Sequence, residues 1–305
     1  MMPDSIRLKF SQLSKVYQDG TRALTDFNWE LGNGVFGLLG PNGAGKSTLL
    51  EILSLHLMPS SGKIFWNGWD IQKKALKFRR IIGYLPQNYG FYPELKATHI
   101  LRYLGRLNGL HGKKLERRVE EVLEIVGLTE VRKRKVKGYS GGMRQRLAIA
   151  QSLVHSPRLL VVDEPTTGLD PGERVAFRNM LFDLGRSCVV LLSTHIVKDV
   201  EFSCHQMTLL YGGLQYFAGQ PVDFVKRVQG RVFELDVPLG VFEDFSQKHH
   251  VIAIQESGER VSVRFIVGNG EGVTQGASPV TPNLEDAYVD FIRERDEEED
   301  IGEAS

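Results

Sequence analysis

The sequence predicts an α/β fold: a parallel sheet preceded by antiparallel strands, interrupted by a helical region and followed by a small α+β appendage. Three apolar runs without polar alternation, at 34–39, 159–162 and 189–192, are typical of strands that are buried on both faces. Helical periodicity dominates residues 94–155, between the first and second runs. Because buried strands separated by helical stretches form parallel sheets, these observations favour the α/β class.

The antiparallel strands and the first helices are indicated by shorter patterns. Residues 5–38 alternate polar and apolar positions in runs such as Ile6–Phe10 and Ala23–Trp29, as half-buried strands do. A helix is predicted from Ser47 to Leu57, because four leucines in it share one side. Apolar residues also recur at helical spacing in 115–126, and we predict a helical subdomain over about 90–155.

The pattern changes again after residue 220, and residues 221–294 are predicted to form the α+β appendage. Apolar positions alternate around 233–237 and 261–267, and Glu256–Glu259 is a candidate hairpin turn. Thr281 and Pro282 are expected to begin a helix, as N-cap and first-turn residue. Its apolar face comprises Leu284, Ala287, Tyr288 and Phe291. The acidic residues at 295–305 are expected to form a flexible tail.

Composition excludes several classes of protein. The 305 residues are 42% hydrophobic and 25% charged, which is ordinary for a soluble globular chain. A net charge of +1 provides no basic field for non-specific nucleic-acid binding. The basic run Arg132–Lys135 is interpreted as an exposed loop or helix end. No nucleic-acid partner is therefore expected.

The location predicted from the sequence is cytoplasmic. Two cysteines, Cys188 and Cys204, are too few for a disulfide framework and fit a reducing compartment. The N-terminus lacks a basic region leading into an apolar one, so a signal peptide is not expected. No apolar run reaches the roughly 18 residues that a membrane-spanning helix needs. Any membrane role is expected to depend on a partner protein.

The glycine-rich loop at 40–47 carries the first chemical signal. It matches G-x-x-x-x-G-K-[ST] and lies between a buried strand and a helix, where phosphate-binding loops occur. Glycines let backbone N–H groups approach phosphate oxygens, Lys46 supplies a positive charge, and Ser47 can ligate Mg²⁺. A chance glycine turn is the alternative, and the strand–loop–helix context argues against it. The candidate nucleotide-binding residues here are Gly40, Pro41, Asn42, Gly43, Ala44, Gly45, Lys46, Ser47 and Thr48.

The second signal is a pair of carboxylates at the end of the strand at 159–162. Asp163 follows this buried strand directly, at the edge where α/β sheets hold ligands, and can bind Mg²⁺ directly or through water. Glu164 comes next and can orient and deprotonate an attacking water. Taken alone, the two could be ordinary turn residues, but the phosphate loop favours a catalytic interpretation. The core is thus predicted to be a P-loop NTPase fold of the RecA-like type.

A third motif is more specific. Ser140-Gly141-Gly142-Met143-Arg144-Gln145-Arg146 opens a helix shortly before the Asp163 strand and resembles the signature motif of ABC-family ATPases. Further elements resemble that family, in order and at suitable spacing over roughly 5–220. They are Tyr17, similar to the aromatic that stacks on adenine; Gln87, similar to the glutamine that touches Mg²⁺; Gly168-Leu169-Asp170, similar to the loop that contacts the opposite subunit; and His195, similar to the switch histidine at the γ-phosphate.

The resemblance implies an ATP-binding and hydrolysing subunit that acts as a dimer with Mg²⁺. In that family two nucleotide-binding domains close head to tail, and the Ser140–Gly142 helix start of one subunit faces the phosphate held by the other. A glycine-rich helix N-terminus suits this role because it presents free N–H groups to an anion. This chain has one copy of each motif. A homodimer or a second nucleotide-binding subunit is therefore expected.

The resemblance further implies a transporter subunit at the cytoplasmic face of the cell membrane, energising a separate permease. Thr281–Tyr288 resembles the closing motif of drug-exporter-type ABC ATPases, although an ordinary capped helix is an equal alternative. Tyr89–Pro93 resembles the surface that receives a permease helix, although its aromatic residues could equally pack internally. The other functional hypothesis is a soluble ABC-type switch on DNA or ribosomes.

Two residues depart from the family pattern. Tyr139 and Met143 occupy positions where leucine and glutamine are most frequent in the signature motif. The Ser140–Gly142 core remains, so the departures concern fine contacts and not the use of ATP.

Overall fold

The computed structural model of the chain describes residues 7–166, 169–268 and 272–303. The chain divides into two compact units, Met1–Ala218 and Gly219–Ser305, each with its own hydrophobic core. The boundary predicted from the sequence lies after residue 220. No helix within the described ranges is both long and apolar enough to cross a membrane.

The first unit combines two sheets with helices. In chain order its elements are β1 (Leu8–Val16), β2 (Arg22–Leu31), β3 (Gly34–Leu39), α1 (Lys46–Leu53), β4 (Ser61–Trp66), β5 (Trp69–Asp70), α2 (Ala75–Arg79), β6 (Ile82–Leu85), α3 (Ala97–Leu107), α4 (Gly112–Ile125), α5 (Gly141–Leu153), β7 (Leu159–Asp163), α6 (Pro171–Gly185), β8 (Val189–Thr194), α7 (Val197–Ser203), β9 (Gln206–Tyr211) and β10 (Leu214–Gly219). A short 3₁₀ turn covers Val136–Gly138.

The larger sheet has six strands in the order β10-β9-β3-β8-β7-β6. Strand β3 pairs in parallel with β8 and β9, and β7 pairs in parallel with β6 and β8. Every residue of β7 and β8 is buried, as the uniformly apolar runs predict. The predicted α/β class is therefore confirmed, and the carboxyl ends of β3, β6, β7 and β8 form one edge of the sheet.

The smaller sheet is antiparallel, with strand order β2-β1-β4-β5. Its alternating side chains, Phe10 and Phe27 among them, are buried in the same apolar core as the phosphate-loop helix, α1. The Phe10 and Phe27 rings meet edge to face with centroids 5.3 Å apart. Helices α3, α4 and α5 lie within the region predicted to be helical.

The first helix is shorter than the sequence predicts. It begins at Lys46 and ends at Leu53, instead of continuing to Leu57. The cause is local: Leu55 has a positive φ of 62°, a left-handed conformation that an α-helix does not accommodate. The leucine periodicity does not reveal this turn, because partly buried Leu55 and Leu57 still pack against the same core.

The second unit is a four-stranded sheet with helices. Its elements are α8 (Pro221–Val225), β11 (Val232–Pro238), α9 (Leu239–Lys248), β12 (His250–Ser257), β13 (Arg260–Ile266), β14 (Ser278–Pro279) and α10 (Leu284–Glu303). The strand order is β12-β13-β11-β14, and neighbouring strands are antiparallel. Strands β12 and β13 form a hairpin across the turn at Glu256–Glu259.

Helix α10 differs from its prediction at both ends. The cap is Asn283 and not Thr281: the Asn283 side chain accepts a hydrogen bond from the Asp286 N–H at 3.0 Å, and the Asp286 carboxylate accepts one from the Asn283 N–H at 2.7 Å. This reciprocal arrangement satisfies two N–H groups at the helix start. At the other end the helix runs through 295–303, where a flexible tail was predicted. Three of the four predicted apolar-face residues, Leu284, Ala287 and Phe291, are buried.

Candidate functional site

The loop at 40–47 joins β3 to α1 at the carboxyl edge of the parallel sheet. Gly43 and Gly45 have φ angles of 81° and 100°, in the region that strains residues with a side chain. A β-carbon at Gly45 would lie 2.2 Å from the carbonyl oxygen of Ala23, and one at Gly40 would lie 2.3 Å from that of Leu210. Left-handed torsion and close backbone packing therefore explain why this loop is rich in glycine.

The ammonium group of Lys46 is folded against this loop. The side chain is buried, and its Nζ donates hydrogen bonds to the carbonyl oxygens of Gly40 at 2.7 Å and Pro41 at 2.8 Å. Burial lowers the pKa of Lys46, whereas the carboxylates of Glu164 and Asp163 act in the opposite direction. A positive charge is thus held at the centre of the loop, beside the first turn of α1, where backbone N–H groups also attract anions.

Ser47, Thr48 and Tyr17 lie around the start of α1. Ser47 is exposed, and Thr48 Oγ1 lies 3.2 Å from the Tyr17 hydroxyl. Tyr17 is 38% exposed, so part of the residue is open to a planar ligand. The Lys15 ammonium lies 5.4 Å from the centroid of that ring. The structure therefore brings the predicted aromatic residue next to the phosphate loop, although 31 positions separate Tyr17 from Thr48.

The carboxyl ends of three core strands meet at Glu164. Gln87 follows β6, Glu164 follows β7 and His195 follows β8. Gln87 Nε2 donates a hydrogen bond to Glu164 Oε2 at 3.1 Å, and His195 Nδ1 lies 3.0 Å from Glu164 Oε1. The Glu164 side chain is 10% exposed, whereas that of His195 is 43% exposed. Both carboxylate oxygens are thus oriented by neighbours on adjacent strands.

The backbone at Glu164 is unusual. Its φ of 46° is left-handed, and its N–H donates to the Ser193 carbonyl oxygen at 2.9 Å. Non-glycine residues in this conformation cost about 1–3 kcal/mol and occur preferentially at functional sites. Next to it, burial raises the pKa of the Asp163 carboxyl, an effect that the charge of Lys46 opposes. Asp163, Glu164 and Gln87 line one cavity of about 190 Å³.

These side chains include suitable donors for a magnesium ion. The Ser47 hydroxyl, the Asp163 carboxylate and the Gln87 amide oxygen are hard oxygen ligands of the kind that Mg²⁺ prefers. The Gln87 amide nitrogen is occupied by Glu164, which leaves its oxygen for a ligand. The residues present therefore fit the ion that nucleotide phosphates usually carry.

The signature motif forms the beginning of helix α5. Ser140 is its N-cap, and its Oγ accepts a hydrogen bond from the Met143 N–H at 3.2 Å. Gly141 is exposed, with open space where a β-carbon would stand, whereas a β-carbon at Gly142 would lie 1.7 Å from Oε1 of Glu173. Within the described part of the chain, no hydrogen bond joins Ser140–Gly142 to the loop at 40–47.

The last parts of the site are Tyr139 and Met143, which depart from the usual signature motif, and the loop at 168–170. Tyr139 is buried, and its hydroxyl donates to the Val131 carbonyl oxygen at 3.0 Å, so the aromatic ring fills an internal position. Met143 contributes only its backbone to the Ser140 cap. Asp170 caps α6 through a hydrogen bond from the Glu173 N–H at 2.8 Å. Gly168 lies outside the described residues.

One residue of the site carries no distinctive sequence signal. Glu173 lies against the bare α-carbon of Gly142. Polar residues on helices are common, so only the contact between α6 and the start of α5 identifies it. Gln145, which belongs to the signature motif, lines the cavity next to Glu164. Among the sequence predictions, Gln87, Glu164 and His195 converge directly, as do Tyr17 and Thr48, while Ser140–Gly142 begins a separate helix.

A parallel sheet with a glycine-rich phosphate loop and adjoining carboxylates defines a nucleotide-binding protein of the P-loop class. The family described as ABC transporter matches residues 24–167. The linearmycin resistance ATP-binding protein LnrL of Bacillus subtilis (strain 168) is 38% identical over 69% of this chain and 68% of its own. The Nod factor export ATP-binding protein I of Rhizobium etli is 32% identical over 92% of both chains.

Solved structures agree with these relatives. The dimeric structure of a post-hydrolysis ATP-binding cassette, bound to ADP and Pi, is 25% identical and superposes with a TM-score of 0.63. It covers 70% of this chain and 98% of that cassette. The chain therefore belongs to the family of ABC transporter ATP-binding proteins. It binds and hydrolyses ATP as such a subunit, and these comparisons give no support to the DNA or ribosome alternative.

Proposed function

We propose that the chain is the ATPase subunit of an exporter, and that it dimerises head to tail and energises a separate permease at the cytoplasmic face of the membrane. The observation that carries this proposal is the division of the site within one chain. The phosphate loop and the Glu164 network form one part, while Ser140–Gly142 begins another helix without a hydrogen bond to that loop in the described residues. The export direction rests on relatives named for Nod factor export and linearmycin resistance.

ATP is held on the first part of the site. The backbone N–H groups of the loop at 40–47 and the Lys46 ammonium bind the phosphates, and Tyr17 stacks on the adenine. Ser47, Asp163 and Gln87 would hold Mg²⁺, which supplies positive charge against the phosphate oxygens when bound. The Lys46 ammonium exchanges at least one of its carbonyl partners for a phosphate oxygen.

Glu164 is the general base in this proposal. Its carboxylate accepts hydrogen bonds from two sides, which fixes its orientation towards an attacking water, and it takes the proton of that water as the γ-phosphate is transferred. His195, more exposed than Glu164, contacts the γ-phosphate, and Gln87 links the base to the loop that follows it. Asp170 and the Ser140–Gly142 helix start contact the other subunit, where the free N–H groups bind its γ-phosphate.

The permease contact is assigned to Tyr89–Pro93. This segment begins two positions after Gln87. Tyr92 is 78% exposed, while the rings of Tyr89 and Phe91 pack against each other with centroids 5.8 Å apart. A change at the Gln87–Glu164 hydrogen bond therefore has four residues to cross before it reaches the exposed Tyr92. Because Gln87 and the segment Tyr89–Pro93 are close in the sequence, Gln87 is suited to couple the two sites.

Glu164→Gln tests the assignment. The amide preserves the size of the side chain but cannot accept a proton, so we expect kcat for ATP hydrolysis to fall about 10²- to 10⁴-fold. ATP affinity should remain, and light scattering should detect a stable ATP-bound dimer. Glu124→Gln, at an exposed position of α4, is the control and should hydrolyse ATP normally. A Glu164→Gln protein with kcat within tenfold of the parent would contradict the role of Glu164 as base.

A further inference from the structure

A cleft in the second unit, apart from the nucleotide site, collects basic side chains from three elements. Lys248 is the last residue of α9, His250 is the first residue of β12, and Arg293 lies in α10. All three line each of two adjoining cavities, of about 330 and 240 Å³. The recurrence of the same three residues on both cavities makes them the shared wall of one cleft.

The corner between α9 and β12 is fixed by His249. Its ring stacks on Phe245 with centroids 4.0 Å apart. Its Nδ1 lies 3.1 Å from the Phe245 carbonyl oxygen, and its Nε2 lies 2.9 Å from Thr274 Oγ1. Both ring nitrogens are therefore engaged in the fold. The flanking residues, Lys248 and His250, remain as the side chains that this corner presents to the cleft.

The charges in the cleft do not balance. Among the described residues that line the larger cavity, none is acidic. The smaller cavity has three carboxylates, and each is already paired with an arginine: Asp290 with Arg231 at 3.0 Å, Glu294 with Arg227, and Glu297 with Arg293 at 2.6 Å. By contrast, within the described ranges the Lys248 ammonium has no ion-pair or hydrogen-bond partner. With Arg227 counted, which pairs with Glu294 from outside the lining of the cavities, one positive charge is left uncompensated in the cleft, that of Lys248.

The donors in the cleft suit a phosphate group. A lysine ammonium offers three N–H donors, and an arginine guanidinium binds phosphate oxygens with its planar fork. Burial lowers the pKa of His250, and the positive charges of Arg293 and Arg231 lower it further. The carboxylates of Asp290 and Glu297 act in the opposite direction, but the pKa remains below its ordinary value. A neutral imidazole donates one N–H without an additional charge. Donors of three geometries therefore surround a space large enough for a phosphate and a small attached group.

We propose that this cleft binds a phosphate-bearing anion through Lys248, His250 and Arg293. Two sources share this chemistry: a soluble phosphorylated metabolite, and the headgroup of an anionic phospholipid beside the transporter. The site lies within the C-terminal unit and is independent of ATP hydrolysis. A ligand here would give that unit a regulatory input of its own.

The test uses the full-length chain with Lys46→Ala, which removes the lysine of the phosphate loop, and inorganic phosphate as the probe. We expect calorimetry to detect one phosphate per chain, and the added pair Lys248→Ala and Arg293→Ala to weaken binding at least tenfold. Lys226→Ala is the matched control, because this exposed lysine of the same unit forms its one ion pair among the described residues with Asp223, at 2.7 Å. Lys248→Arg should retain binding.

Vesicles distinguish the two sources. Sedimentation with phosphatidylcholine vesicles, with and without phosphatidic acid, assigns a lipid ligand if only the acidic vesicles bind and the double variant does not. Phosphate binding without vesicle binding assigns a soluble ligand. Unchanged phosphate affinity in the double variant, or no binding to either probe, overturns the proposal. Neither result bears on Glu164, because ATP hydrolysis is measured separately.

Discussion

Arg264 is the position at which the structure makes the sharpest quantitative prediction, through the change Arg264→Met. This β13 residue donates to Asp286 through Nε at 2.8 Å and Nη2 at 2.7 Å, and to Glu234 through Nη1 at 2.9 Å. The Arg264 side chain is 18% exposed, and that of Asp286 is 1% exposed. The pair therefore joins the sheet to α10 within the core of the second unit.

The expected cost follows from what the substitution leaves behind. Methionine preserves much of the packing, but among the described residues the Asp286 side chain then keeps the Asn283 N–H as its one hydrogen-bond partner, although the carboxylate is buried. Removal of one member of a buried ion pair typically costs about 3–5 kcal/mol. The comparison is Arg7→Met, which breaks the 2.7 Å pair with Glu30, where the two side chains are 68% and 44% exposed. An exposed pair of that kind contributes about 0–1 kcal/mol.

Hydrogen exchange measured by mass spectrometry separates the two units. Amide protection in β11, β13 and α10 should fall by roughly 10²- to 4 × 10³-fold in Arg264→Met, since about 1.4 kcal/mol corresponds to a factor of ten. Tryptophan fluorescence reports the first unit, because Trp29, Trp66 and Trp69 all lie there. Its unfolding midpoint and ATP affinity should remain unchanged. A loss of protection below about tenfold, or one equal to that in Arg7→Met, would refute the buried-pair argument.

Two further substitutions examine the first unit. Gly45→Ala should weaken ATP binding at least tenfold, because the new methyl group would lie 2.2 Å from the Ala23 carbonyl oxygen. Gly43→Ala should weaken binding less, because Gly43 has a similar φ but open space around its α-carbon. Equal effects of the two substitutions in a fluorescent-nucleotide titration would contradict this reasoning. Asp170→Ala should lower the free energy of unfolding by about 1 kcal/mol through loss of the α6 cap, and Asp170→Asn should restore it. Reduced ATPase activity in thermally normal Asp170→Asn would support a contact with the second subunit, and normal activity would argue against one.

The buried charges of the second unit show where sequence patterns fail. Asp286 and Asp290 sit in a helix whose acidic residues would ordinarily face water, yet both are buried. Their partners, Arg264 and Arg231, come from other elements of the unit. Because a helical pattern records only spacing within the helix, it cannot indicate which carboxylate will meet an arginine 22 or 59 positions away.

Short segments of the sequence determined most other features of the fold and the nucleotide site. The glycine loop, the uniformly apolar strands and the signature motif are contiguous, so the chain itself specifies their torsions, their burial on both faces and their order. From these, the sequence alone predicted the parallel α/β core and the class of ligand. Tertiary structure decided what had to be assembled from distant segments: the hydrogen bonds of Gln87 and His195 to Glu164, the Glu173 carboxylate against Gly142, and the basic cleft of the second unit. Such contacts depend on strand order and helix packing, which a linear pattern does not encode.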